Sequence, residues 1–98
     1  MQVNLTWTTP ATRSDGSPLT VGEIQQTRVS RNGTVIATPT AVDGVMTLTD
    51  SGPIAGANVY DVTTVTTDGQ VSAPSNSVSV TVTAAASAVT DLAATLVP

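Results

Sequence analysis

Val78-Ser79-Val80-Thr81-Val82-Thr83 alternates apolar and polar side chains without a break. Successive side chains of a β-strand point to opposite faces, so Val78, Val80 and Val82 share one side and Ser79, Thr81 and Thr83 the other. One face is then packed and the other wet, as in an antiparallel sheet. The same rhythm runs through Val3-Asn4-Leu5-Thr6-Trp7. It returns in residues 59–66, where Val59, Asp61, Thr63 and Val65 alternate against Tyr60, Val62, Thr64 and Thr66. Val29, Val35, Ile36, Val45 and Leu48 supply middle strands, and helical periodicity is weak before residue 84. The expected core holds Leu5, Trp7, Tyr60, Val62, Val78 and Val80.

Turn signals punctuate these segments at short intervals. Asp15-Gly16, Asn32-Gly33, Asp43-Gly44 and Asp68-Gly69 are Asx-Gly pairs, which tolerate the positive φ of tight hairpins. Pro10, Pro18, Pro39, Pro53 and Pro74 fall at strand ends or in connections, where a missing N–H costs little. Pro74, within Ser72-Ala73-Pro74-Ser75, is expected to break or bulge an edge strand and so blunt unwanted pairing. Many short strands with regular turns predict an all-β fold, an antiparallel sandwich.

Composition agrees and removes several function classes. The chain has 98 residues, the size of one domain with a modest core, and is 40% hydrophobic but only 2% aromatic. Its apolar content is mostly Val and Ala and Thr is abundant; β-branched Val and Thr fit a pleated surface better than a helix. Net charge is −4 and the only cations are Arg13, Arg28 and Arg31, so the basic patch that nucleic acid requires is missing. No long apolar run points to a membrane span, and nothing like a leader precedes the first strand; a leader removed, or release by another route such as lysis, is expected.

Enzymatic constellations are nearly absent. Without His, Cys or Lys there is no imidazole base, no thiolate and no amine nucleophile. Of the acids Asp15, Glu23, Asp43, Asp50, Asp61, Asp68 and Asp91, three sit in Asx-Gly turns, where turn chemistry explains them, and no Asp-x-Asp-x-Asp run suits Ca²⁺. The Thr-x-Thr runs at Thr6/Thr8, Thr47/Thr49, Thr64/Thr66 and Thr81/Thr83 read as solvent-facing strand positions, and Trp7 and Tyr60 as core, leaving no aromatic platform for sugars. No cofactor, metal or catalytic residue is expected.

In order and spacing, residues 3–83 resemble a fibronectin type III domain, particularly its bacterial and phage versions. Leu5-Thr6-Trp7-Thr8-Thr9-Pro10 looks like the family's second strand with its core tryptophan, and Asp15-Gly16-Ser17-Pro18-Leu19 like the following loop. Ile24 to Arg31 resembles the third strand. Ile54, six residues before Tyr60, matches the Leu-to-Tyr spacing of a corner where the Tyr hydroxyl bonds back to the preceding loop. Asp68-Gly69-Gln70-Val71-Ser72-Ala73-Pro74-Ser75 resembles the last hairpin.

The chain departs from the family at its ends. The family opens with a strand of the type Pro-x-x-Val-x-x-Leu, and here nothing precedes Val3. Ala88-Val89-Thr90-Asp91-Leu92-Ala93-Ala94-Thr95-Leu96 has that character but follows the last strand. The expected organisation is therefore a sandwich lacking its first strand over residues 1–83 and a C-terminal arm over 84–98. Residues 84–87 reach roughly 13–14 Å, whereas a strand runs about 20 Å, so the arm does not easily fill its own slot in the usual direction. It folds back in reverse or extends into a neighbour by β-augmentation, through Val89, Leu92, Ala94 and Leu96. A short helix with Val89, Leu92, Ala93 and Leu96 on one face, and a flexible tail or the stump of a following domain, are the competing readings.

These features point to a non-enzymatic structural protein that assembles with itself or onto a capsid or filament lattice, as a homo-oligomer or part of a larger particle. The resemblance makes a bacteriophage virion the leading setting, as a capsid decoration or head-fibre subunit. A strand-donating extracellular or cell-surface filament of bacteria is the first alternative. A spacer domain of a secreted glycan-degrading enzyme is the second.

Overall fold

The alternation becomes six strands in the computed structural model, which describes residues 1–98. They are β1 (Val3–Thr8), β2 (Ile24–Arg31), β3 (Thr34–Ala37), β4 (Val45–Asp50), β5 (Gly56–Thr66) and β6 (Val78–Val82). The one helical turn is a 3-10 turn, Val21–Glu23, that leads into β2. β1 and β4 pair antiparallel as a two-stranded sheet, and the other sheet is antiparallel in the order β3-β2-β5-β6. The chain is all-β with two antiparallel sheets.

The hairpin between β2 and β3 forms because Asn32 (φ 51°) and Gly33 (φ 81°) both enter the left-handed region, as a two-residue type I′ turn requires. Asn32 also ties this hairpin to β5: its N–H donates to the Val59 carbonyl at 2.8 Å, and its Oδ1 accepts the Val59 N–H at 2.8 Å. Around Pro74 regular pairing stops. Ser72 and Ser75 instead donate their N–H groups to Thr64 and Val62, while their hydroxyls accept the N–H groups of the same two residues.

The buried apolar residues are Val3, Leu19, Val29, Met46, Tyr60 and Val65. Of the expected core, Tyr60 is buried, and Leu5, Trp7, Val62 and Val80 are half-buried. Val78 is 48% exposed and does not belong to the core. The reason is geometric: Val78 begins edge strand β6, and a two-stranded sheet leaves part of a four-stranded one uncovered. Ile54 is likewise 49% exposed. The reading of the Thr runs as solvent-facing fails at Thr64 and Thr66, which are buried. They stand on the inward face of β5 with Asn58, Tyr60 and Val62, and the Thr66 hydroxyl is satisfied by Asp68.

Register fixes which strand ends lie together. Val3 pairs with Asp50, and Val82 with Gly56, which follows Asp50 after a short loop. β1 therefore begins, and β6 ends, at the same pole. The molecule measures 83 × 19 × 19 Å. β5, with 11 residues, is about 36 Å long, too long to lie across 19 Å, so the strands run along the long axis. Residues 83–98 carry no secondary structure and are exposed. Extended, they span about 53–58 Å, and they continue that axis outward. The radius of gyration, 20.6 Å, exceeds the roughly 13 Å of a compact chain this long because of this arm.

Candidate assembly site

One edge of β1 has no partner. The Thr9 N–H donates to the Gly44 carbonyl at 2.9 Å, just beyond the β1–β4 ladder. Antiparallel pairs alternate, so Trp7, Leu5 and Val3 turn their backbone groups toward β4 in step with Thr9. Asn4, Thr6 and Thr8 turn theirs the other way, to an open flank. A run of unpaired N–H and C=O groups is a template for another strand.

A cleft of about 100 Å³ lies on that same flank, between β1 and the β5–β6 side of the other sheet. Its apolar wall is Leu5, Trp7, Tyr60, Val62 and Val78, with Ser75 and Asn76 at the rim. These are residues that the alternation assigned to a core. They line one cleft, and no strand of the chain lies over it. This accounts for the half-burial of Leu5, Trp7 and Val62. The arm residues stay away from the cleft: Val89 is 77%, Leu92 90% and Leu96 95% exposed, and Ala94 is exposed too.

Polar side chains hold the flank and the arm's exit in place. Asp50, buried at the end of β4, accepts from Arg31 Nη1 and from the Tyr60 hydroxyl, both at 2.7 Å, and from the Gly52 N–H at 3.0 Å. It thereby joins the two sheets and orients the Tyr60 ring at the cleft. Burial pushes its carboxyl up, but the bonds from Arg31, Tyr60 and Gly52 outweigh this and hold it below the ordinary value. The Tyr60 hydroxyl was expected to reach back to the preceding loop. It reaches a carboxylate instead, at the strand end where that loop starts.

Asn58 is fully buried two residues before Tyr60. Its Oδ1 accepts the Ile54 N–H at 2.8 Å, and its Nδ2 donates to the carbonyls of Ile54 (2.8 Å), Gly56 (3.2 Å) and Val80 (3.3 Å). It clamps the corner before β5 to the last strand, next to the point where the arm leaves. Nothing in the reading of the sequence singled it out, although it lies in phase with Tyr60 and Val62.

A larger cleft of about 380 Å³ lies at the opposite pole, lined mostly by polar residues including Arg13, Asp15 and Thr66. Its guanidinium is already engaged, Arg13 meeting Glu23 at 2.9 Å and Asp68 at 3.5 Å. Hydrogen bonds from Arg13 and Thr20 hold the Glu23 carboxyl down to about 2. No group of three acidic side chains converges as a metal site, and no helix is long and apolar enough to cross a membrane. Comparison of the chain with family models, curated proteins and solved structures gives no match.

Proposed function

We propose that the chain is a non-enzymatic structural subunit of a larger particle and that residues 84–98 make its assembly contacts. A fibronectin type III-like sandwich whose first strand is missing accounts for the strand order β1-β4 and β3-β2-β5-β6 and for the flank left open beside β1. The observation that carries the reading is the pairing of opposites in one chain: an unpartnered strand edge over an apolar cleft, and an exposed arm bearing Val89, Leu92 and Leu96. Large apolar side chains held in water on an extended arm mark an interaction segment.

The setting we propose is a bacteriophage virion, as a decoration or head-fibre subunit, on the strength of the family resemblance. An extracellular bacterial filament is the second reading, favoured by the presence of donor and acceptor features in the same chain. Both need the arm. Removal of residues 84–98 is expected to leave the circular dichroism and Tm of the dilute, unassociated body unchanged and to abolish self-association in light scattering. Equal association with and without the arm would overturn the role. A full chain that never self-associates would rule out the filament reading and leave docking onto another lattice.

A further inference from the structure

We infer that the open flank beside β1 accepts residues 88–96 of a second copy of this chain, laid antiparallel to β1, an inference that rests on the assembly role proposed above. The direction follows from where the arm leaves. β6 ends at the pole where β1 begins, so a strand antiparallel to β1 must enter at the other pole. Within one chain, residues 84–87 reach only about 13–14 Å against the roughly 20 Å length of β1. The arm instead projects along the strand axis, away from its own body. A second copy stacked on that axis in the same orientation presents its far pole to the incoming arm. Entering there, the arm runs antiparallel to the acceptor's β1, and the acceptor's own arm leaves at the next pole in the same direction. The contact is head-to-tail and repeats.

Side-chain phase agrees with this placement. In a strand, Leu92, Ala94 and Leu96 share one face, which suits the apolar wall of Leu5, Trp7 and Val78. Asp91, Ala93 and Thr95 then face water beside Asn4, Thr6 and Thr8, whose side chains are exposed. The arm backbone meets the free N–H and C=O groups of Asn4, Thr6 and Thr8. Val89 is out of phase with Leu92, so one bulged residue at Thr90 or Asp91 brings it to the cleft face. The far end of the arm comes to rest where the acceptor's β1 begins.

The chain has no Cys, so introduced thiols report on their own pairing. Thr6→Cys protein mixed with Ala93→Cys protein, and with Asp91→Cys and Thr95→Cys to sample register, is expected to give disulfide-linked heterodimers under mild oxidation. The double variant Thr6→Cys/Ala93→Cys is expected to give a covalent ladder. All four positions are exposed, so the fold is not at stake. Leu92→Asp, at an exposed position, is expected to weaken association by about tenfold or more, since a charge would enter an apolar cleft. Closure of the double variant within a single chain would overturn the inference in favour of a fold-back. Thr6→Cys linking only to itself would replace it with edge-to-edge pairing of β1. Association without any of these links would overturn it and leave the arm's assembly role standing, with another docking surface.

Discussion

Asp50→Ala is expected to destabilise the chain by about 3 kcal/mol, measured by urea denaturation, and to lower Tm by roughly 12–24 °C. The loss comes from what the substitution leaves behind. Arg31, whose side chain is 21% exposed, loses its carboxylate, and the buried Tyr60 hydroxyl loses its acceptor. Breaking a buried pair by removing one partner costs more than the pair contributes, because the remaining charge stays desolvated. Asp50→Asn retains one acceptor oxygen where the carboxylate uses two, Oδ1 for Gly52 and Oδ2 for Arg31 and Tyr60. It keeps part of the bonding and should lose less, about 2 kcal/mol. Equal losses for both variants would mean that the charge, not the bonding, matters.

The same carboxylate gives the chain an acid limit. Asp50 titrates below its ordinary value in the folded state, and Glu23 is held down to about 2. A depressed carboxyl contributes stability that is present above the unfolded value, near 4, and lost as pH falls through the folded value. Stability should therefore decline between about pH 4 and pH 2. In Asp50→Ala that decline should be shallower.

The second large effect is expected at Asn58. Asn58→Ala strips partners from the Ile54 N–H and from the carbonyls of Ile54, Gly56 and Val80 in a site with no exposure. Each buried backbone group left unpaired costs about 1–3 kcal/mol, so a total near 3 kcal/mol is expected after partial relaxation. Asn58→Asp is the sharper test. Its carboxylate still accepts from Ile54 but faces the carbonyls of Ile54, Gly56 and Val80, so at neutral pH it should be at least as damaging as Ala. Acidification should recover part of that loss, because the protonated acid can again donate one bond. A near-neutral Asn58→Ala would mean that the clamp at the arm's exit is not required for the fold.

How much of this was legible in the sequence depends on the kind of residue. Alternation placed Val3, Leu5 and Trp7 on one face of β1, and the Asn32-Gly33 pair marked its hairpin, because both signals are local. Thr64, Thr66, Asn58 and Asp50 were not legible as interior positions. Asp50 goes inside because Arg31 and Tyr60, on other strands, satisfy it, which no local pattern shows. Thr66 and Asn58 are satisfied largely by near neighbours, Asp68 and Ile54, but in turn and corner geometry that alternation does not specify. Val78 was misplaced for a related reason: its phase is right, but it stands on edge strand β6, beyond the cover of the two-stranded sheet. The candidate site was legible in parts. Its apolar wall and the alternation at Leu92, Ala94 and Leu96 could be read from the sequence. The unpaired edge of β1 and the axial direction of the arm needed the topology.

The most direct measurement is backbone hydrogen exchange on the full chain at an associating concentration, compared with the chain lacking residues 84–98. If a neighbour's arm completes the sheet, the Asn4, Thr6 and Thr8 amides become slow in the full chain together with amides of residues 92–96, and stay fast in the shortened chain. Equally fast exchange of Asn4, Thr6 and Thr8 in both would contradict strand donation to β1.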